Sequence, residues 1–130
     1  MKPERVFADT KLFLRYLTND VPAQADAVEQ LLHQAANGQV VLVANSMVIA
    51  EIVWTLESFY RLPRRDIRDK VLAILNTSGL DVPEGDLVLQ AAIGYTDKNV
   101  DFIDAYNAAW SLAHGIGAVC TFDSVQLRSA

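Results

Sequence analysis

Four acidic side chains stand in or beside apolar runs that lie far apart in the chain: Asp9 in VFADT, Glu51 in MVIAEIVW, Asp104 in DFIDAYNAAW and Asp123 in AVCTFD. Carboxylates in such settings either face solvent or share a site. Sharing is costly, because two of them about 4 Å apart repel by roughly 4 kcal/mol at an effective dielectric near 20. A fold that gathers four needs a cation to offset that repulsion, and a donor set made only of oxygen suits Mg2+ or Mn2+. Glu51 is the most conspicuous member, being the sole ionisable side chain between Val40 and Leu56. Each acid also has a plainer reading. Glu51, Thr55 and Ser58 recur at helical spacing and would make the wet face of an amphipathic helix. Asp9 and Asp123 follow strands and would serve as turn or cap residues. Asp101 shares a helix face with Asp104 and Asn107, or caps that helix.

The elements that must position these residues follow from hydrophobic periodicity and from turn chemistry. A short strand over Val6 to Ala8 ends at Asp9, and a helix from about Thr10 to Leu17 turns Phe13, Leu14 and Leu17 inward. Pro22 suits a first helical turn, Ala23 to Ala36 has helical composition, and Gly38 is placed to end it before the buried strand QVVLVA. Asn45 or Ser46 caps the next helix, which runs to about Phe59. Pro63 opens another, closing near Thr77 and Gly79. LDV is a brief strand, Glu84 to Tyr95 and Asp101 to His114 are helices, and GAVCTF is a final buried strand. Strands alternating with helices imply a mostly parallel sheet, and ligands of such sheets bind beyond the carboxyl ends of the strands. Asp9 and Asp123 occupy that rim, and Asp104 and Glu51 reach it if their helices start there.

The chain has 130 residues, 52% of them hydrophobic, which suits one compact domain over residues 1–130. Its longest apolar stretch, QVVLVANSMVIAEIVW, is interrupted by Asn45, Ser46 and Glu51 and falls short of the roughly 18 residues of a membrane helix. The N-terminus MKPERVFADT lacks the pattern of a secretory signal, and the lone Cys120 has no internal disulfide partner. Together these point to a cytoplasmic protein with no membrane contact. A net charge of -5 argues against general electrostatic coating of nucleic acid, although RLPRRDIRDK, residues 61–70, holds five of the eleven basic side chains. That segment reads as a solvated helix face or as a local positive surface for phosphates. No Ser-His-Asp or Gly-x-Ser-x-Gly pattern appears, and Cys120, His33 and His114 read as structural. Trp54 and Trp110 read as core or interface residues.

The segments DTKLFLRYLTND, NSMVIAEIVWTLES, VDFIDAYNAAWSLAHG and GAVCTFD, in that order and at those separations, resemble the PIN-domain nucleases, specifically the VapC-type toxins of prokaryotic toxin-antitoxin pairs. The resemblance spans nearly the whole chain. It implies a PIN-like three-layer α/β/α fold whose central, mostly parallel sheet has four to five strands flanked by helices. Carried over position by position, it implies an acidic quartet of Asp9, Glu51, Asp104 and Asp123 as catalytic and metal-holding residues. Asp101 would be an accessory metal carboxylate, and Thr10 and Thr121 hydroxyls beside the site. Lys11 departs from the pattern, standing where the family more often has an Asn that orients the leading carboxylate; here it either pairs with an acid or points to solvent. The chain also stops seven residues after Asp123, where relatives commonly add another short strand.

The activity implied by the resemblance is hydrolysis of RNA phosphodiester bonds with Mg2+ or Mn2+ held by the carboxylates. The implied partners are an RNA substrate, a cognate antitoxin protein seated in a groove, and a second copy in a homodimer. Phe13, Tyr16 and Leu17, with Trp54 and Phe59, are the residues available for such a groove. Two alternatives come from other classes. A receiver-type signalling domain needs an acidic pair after its first strand and a Lys after its fifth, and neither is present. A catalytically weak or inactive PIN-like module that binds RNA or protein is compatible with Lys11.

Overall fold

The computed structural model describes residues 2–120 and 125–127, and contains five strands and six helices among them. The first strand, β1 (Glu4–Phe7), pairs in parallel with β2 (Val40–Val43), which pairs in parallel with β3 (Leu80–Asp81), giving the order β1-β2-β3. Helices α1 (Thr10–Thr18) and α2 (Pro22–Ala36) connect β1 to β2, and α3 (Ser46–Ser58) and α4 (Arg64–Leu75) connect β2 to β3. After β3 come α5 (Gly85–Asp97) and α6 (Phe102–Ala113), then β4 (Ala118–Cys120) and β5 (Val125–Leu127). The chain is thus α/β, a parallel sheet flanked by helices.

Three strands, rather than four to five, make up the parallel sheet among the described residues. GAVCTF, expected as its last buried strand, instead contributes Ala118–Cys120 to an antiparallel pair with β5, and Ala118 is exposed. Val125 and Leu127 lie close to Ala118–Cys120 in sequence, and pairing segments so near in the chain costs far less entropy than a crossover to β1. The outer edge of β1 therefore has no strand partner among the described residues, and Phe7 on that strand is 56% exposed.

The core forms where the apolar stripes of α3, α4 and α5 meet the sheet. Ile49, Ile52 and Leu56 of α3, Ile67 and Val71 of α4 and Val88 of α5 are fully or almost fully buried together with Leu42 of β2. Each such side chain contributes about 1.5–3 kcal/mol relative to exposure. Phe13 and Leu14 are buried and Leu17 half-buried, so α1 faces inward as its periodicity requires. Of the two readings of Trp54, core or interface, the core one does not hold: it is 65% exposed on the outer face of α3, while Ile52, Val53 and Leu56 are buried. No helix of the described residues is long and apolar enough to cross a membrane.

Two contacts hold the connections between these elements. Gly79 has φ +79°, and a Cβ on it would come 2.3 Å from the Ala35 carbonyl oxygen near the end of α2; its own carbonyl accepts from the Leu42 amide at 2.8 Å. Glycine is required there both for its backbone conformation and for space. Asp20, in the turn between α1 and α2, accepts from the Tyr60 hydroxyl at 2.7 Å and the Thr18 hydroxyl at 3.0 Å, with Arg15 at 3.9 Å. The Tyr60 and Thr18 bonds hold its carboxyl below the ordinary value of 3.8, with a smaller contribution from Arg15.

Gly79→Ala is expected to lower unfolding stability by about 1–3 kcal/mol from backbone strain alone, read from urea denaturation. The depressed carboxyl of Asp20 favours the folded state above pH 3.8, and that contribution is lost as pH falls through the lower folded value. Asp20→Asn should therefore be less stable than the parent at neutral pH, with the gap narrowing in acid when both are followed by thermal melting.

Candidate active site

Strands β1 and β2 end alike. Phe7 lies opposite Val43, and the next residues, Ala8 and Ala44, are both fully buried and continue the ladder: the Ala8 amide donates to Val43 at 2.8 Å and the Ala44 amide to Asp81 at 3.1 Å. Each alanine is followed by a helix cap. The Asp9 carboxylate accepts from the Leu12 amide at 3.2 Å, and the Asn45 side chain accepts from the Val48 amide at 3.0 Å. Helices α1 and α3 thus start side by side at the carboxyl rim of the sheet. Their N-terminal partial positive charges face the same way, which favours acidic groups there.

This geometry brings Asp9 and Glu51 into one neighbourhood. Thr10, the first residue of α1, is buried, and its hydroxyl donates to Oε1 of Glu51 in the second turn of α3. Glu51 is nonetheless exposed at the surface, as is Asp9, whose Oδ1 serves the cap. Thr55 meanwhile donates back to the Glu51 carbonyl at 2.8 Å within its own helix. Glu51 therefore lies on the wet face of α3 and is at the same time oriented by a partner 41 residues away.

Asp101 and Asp104 sit at the start of α6, which packs against α3 and α5. Asp101 occupies the cap position without capping through its side chain; that carboxylate is 80% exposed and has Arg64 at 3.9 Å. Asp104 is exposed in the first turn. No hydrogen bond joins either one to Asp9 or Glu51 among the described residues. Asp123 and Thr121 lie outside the described residues.

As a donor set these side chains fit a hard divalent cation, being all carboxylate with a neighbouring hydroxyl. In position they form no cage among the described residues, where no three of Asp, Glu, His and Cys come together closely enough to hold a metal ion. Lys11 is exposed and forms no ion pair among the described residues, so of its two readings the solvent-facing one applies.

The basic segment carries a feature that its sequence did not disclose. Rather than lying wholly in solvent, Arg64 turns inward over the ring of Tyr95, 4.3 Å from its centre. Arg68 pairs with Asp69 at 3.2 Å. His114, exposed at the end of α6, stacks on Trp110 and has Nδ1 2.7 Å from the Trp110 carbonyl, in keeping with a structural role. A groove of about 440 Å3 lies between α1, α2 and α4, lined by Phe13, Tyr16 and Leu17 together with Leu32, His33 and Ile74. Trp54 and Phe59 take no part in it.

A family model described as PIN domain matches residues 6–130. The chain is also 26% identical over 114 residues to a VapC ribonuclease of Aquifex aeolicus (strain VF5), an alignment that covers 88% of this chain and 84% of the relative.

Thr10→Val keeps the shape of the side chain and removes the bond to Glu51. Hydrogen bonds to charged groups are worth about 1.5–3 kcal/mol, and a loss near the lower end of that range is expected in urea denaturation because Glu51 regains water.

Proposed function

The chain belongs to the PIN domain family, and on that premise we propose that it is a divalent-metal-dependent endoribonuclease, the toxin of a type II toxin-antitoxin pair, acting in the cytoplasm as a single PIN domain over residues 1–130. The observation that carries the reading is the convergence of Asp9, Thr10 and Glu51 at the carboxyl rim of the parallel pair β1 and β2. The acids Asp9, Glu51, Asp104 and Asp123 hold Mg2+ or Mn2+, with Asp101 as an accessory carboxylate and Thr10 and Thr121 as flanking hydroxyls. When bound, such an ion supplies a water of lowered pKa and neutralises charge on the phosphodiester.

The side chains of the chain do the positioning. Thr10 engages Oε1 of Glu51 and leaves Oε2 for the ligand, while Leu12 engages Oδ1 of Asp9 and leaves Oδ2. Each carboxylate is thus turned before anything binds, which lowers the ordering cost of binding. The start of α6 contributes two further carboxylates that repel the phosphate backbone unless a cation lies between them. Substrate binding and cation binding are coupled for that reason. The exposed basic side chains of residues 61–70 supply positive charge for RNA away from the acids.

The groove between α1, α2 and α4 is the place for the antitoxin, an apolar trough suited to a segment with one hydrophobic face. A homodimer covers the outer face of α3, where Met47 and Trp54 are exposed. The second reading, a PIN-like module that binds RNA or protein with little or no catalysis, is favoured by the incomplete cage among the described residues.

Purified protein is expected to cleave structured RNA with Mg2+ or Mn2+, to stop on chelation, and to lose cleavage in Asp9→Asn and in Asp104→Asn with circular dichroism unchanged. Equal cleavage by variants and parent would reject the acidic site; RNA binding without cleavage in either metal would establish the second reading.

A further inference from the structure

We propose that Arg64 is a positioning residue that fixes the start of α6 and so sets where Asp101 and Asp104 are presented, an inference that rests on the reading of those two acids as site residues. The Arg64 side chain leaves the first turn of α4 and crosses the ring of Tyr95, and one of its nitrogens, Nη1, donates to the Tyr95 carbonyl at 2.8 Å and to the Val100 carbonyl at 2.7 Å. Those two carbonyls belong to opposite sides of the connection between α5 and α6. The other terminal nitrogen, Nη2, lies 3.9 Å from Asp101 Oδ1. One guanidinium group therefore ties the last turn of α5, the loop and the cap of α6 to a helix that contributes no acid to the site.

The ground beneath Arg64 is firm. Tyr95 is 1% exposed, its hydroxyl donates to Glu57 Oε2 of α3, and its ring meets Phe102, the first residue of α6, edge-on at 6.3 Å. Burial, reinforced by the Glu57 carboxylate, pushes the Tyr95 hydroxyl well above its ordinary range, so it remains a donor at neutral pH. The loop itself needs fixing, because Asn99 sits in the left-handed region at φ 52° and Asp101 makes no cap with its side chain. A guanidinium is suited to this task in a way that an ammonium is not: its planar fork reaches two carbonyls and lies flat on a ring at once. Removing an outer partner of a metal ligand typically weakens metal binding by roughly ten- to a hundredfold.

The experiment compares the parent with Arg64→Lys, Tyr95→Phe and, as an exposed arginine on β1 outside the proposed site, Arg5→Lys. Backbone hydrogen exchange should show lost protection at Ala105, whose amide closes the first turn of α6 onto Asp101 at 2.9 Å, in Arg64→Lys alone. Mn2+ binding by calorimetry should weaken by about tenfold in the same variant, with RNA cleavage falling at subsaturating Mn2+ and recovering as Mn2+ is raised, while Tyr95→Phe lowers the melting temperature without weakening Mn2+ binding. If Arg64→Lys instead binds Mn2+ as the parent does, or protects Ala105 as the parent does, the role of Arg64 is overturned and the acidic site stands. A parent that neither binds Mn2+ nor cleaves RNA removes the nuclease reading, and the exchange measurement still decides whether Arg64 fixes the helix.

Discussion

Parallel, in-register pairing of β1 with β2 is the constraint from which the neighbourhood of Asp9, Thr10 and Glu51 follows. Two strands that run the same way release their chains at the same rim, so the helices that leave them begin as neighbours. Phe7 opposite Val43 then places Ala8–Asp9 beside Ala44–Asn45, and a single hydroxyl, that of Thr10, is enough to join the two helix starts through Glu51. Antiparallel pairing would have sent α1 and α3 from opposite ends of the sheet. The identity of the linking residue matters as well. Thr10 is buried, and burying a hydroxyl is tolerable only when it is bonded, so the Thr10 hydroxyl favours keeping Glu51 as its partner.

Much of this was legible in the residues before any coordinates. The caps Asp9 and Asn45, the stops at Gly38 and Gly79, and the apolar runs Val40–Val43 and Ile49–Leu56 mark local preferences that the fold respects, which is why the order of elements emerged with ends displaced by a residue or two. The partnership of Thr10 with Glu51 had only a weak trace, the presence of a hydroxyl beside the leading acid. What local patterns do not encode is which distant elements meet. The position of Ala118–Cys120 depends on whether β1 or β5 competes better for it, and a periodicity of two is the same in either pairing. Trp54 was open between core and interface for a similar reason: an aromatic in an apolar helix is not assigned to either until the packing of Ile52, Val53 and Leu56 decides which side faces in.

The cluster around Tyr95 shows how a charge can be drawn against the core while staying partly exposed, in a chain with few buried polar groups among the described residues. Arg64 was hidden among five basic side chains whose pattern suggested solvent, and nothing about its neighbours in sequence distinguishes it from Arg65 or Arg68. Its partners are backbone carbonyls and a ring, features that every sequence possesses and that acquire meaning only once α4, α5 and α6 are packed. Glu57 completes the unit from α3, so four helices converge on one tyrosine.

The short first strand has a consequence for behaviour in concentrated solution. An unpaired strand edge is a template on which another molecule can add a strand, the route by which sheet proteins clump. Here that template is four residues long, is preceded by Pro3 with no amide hydrogen to offer, and begins with Glu4 and Arg5, so that an incoming strand meets opposed charges before any apolar surface. Arg5 is further occupied across the sheet by Asp81 at 3.0 Å. Those features act as gatekeepers on an edge that no strand of the described residues covers, and they disfavour runaway self-association.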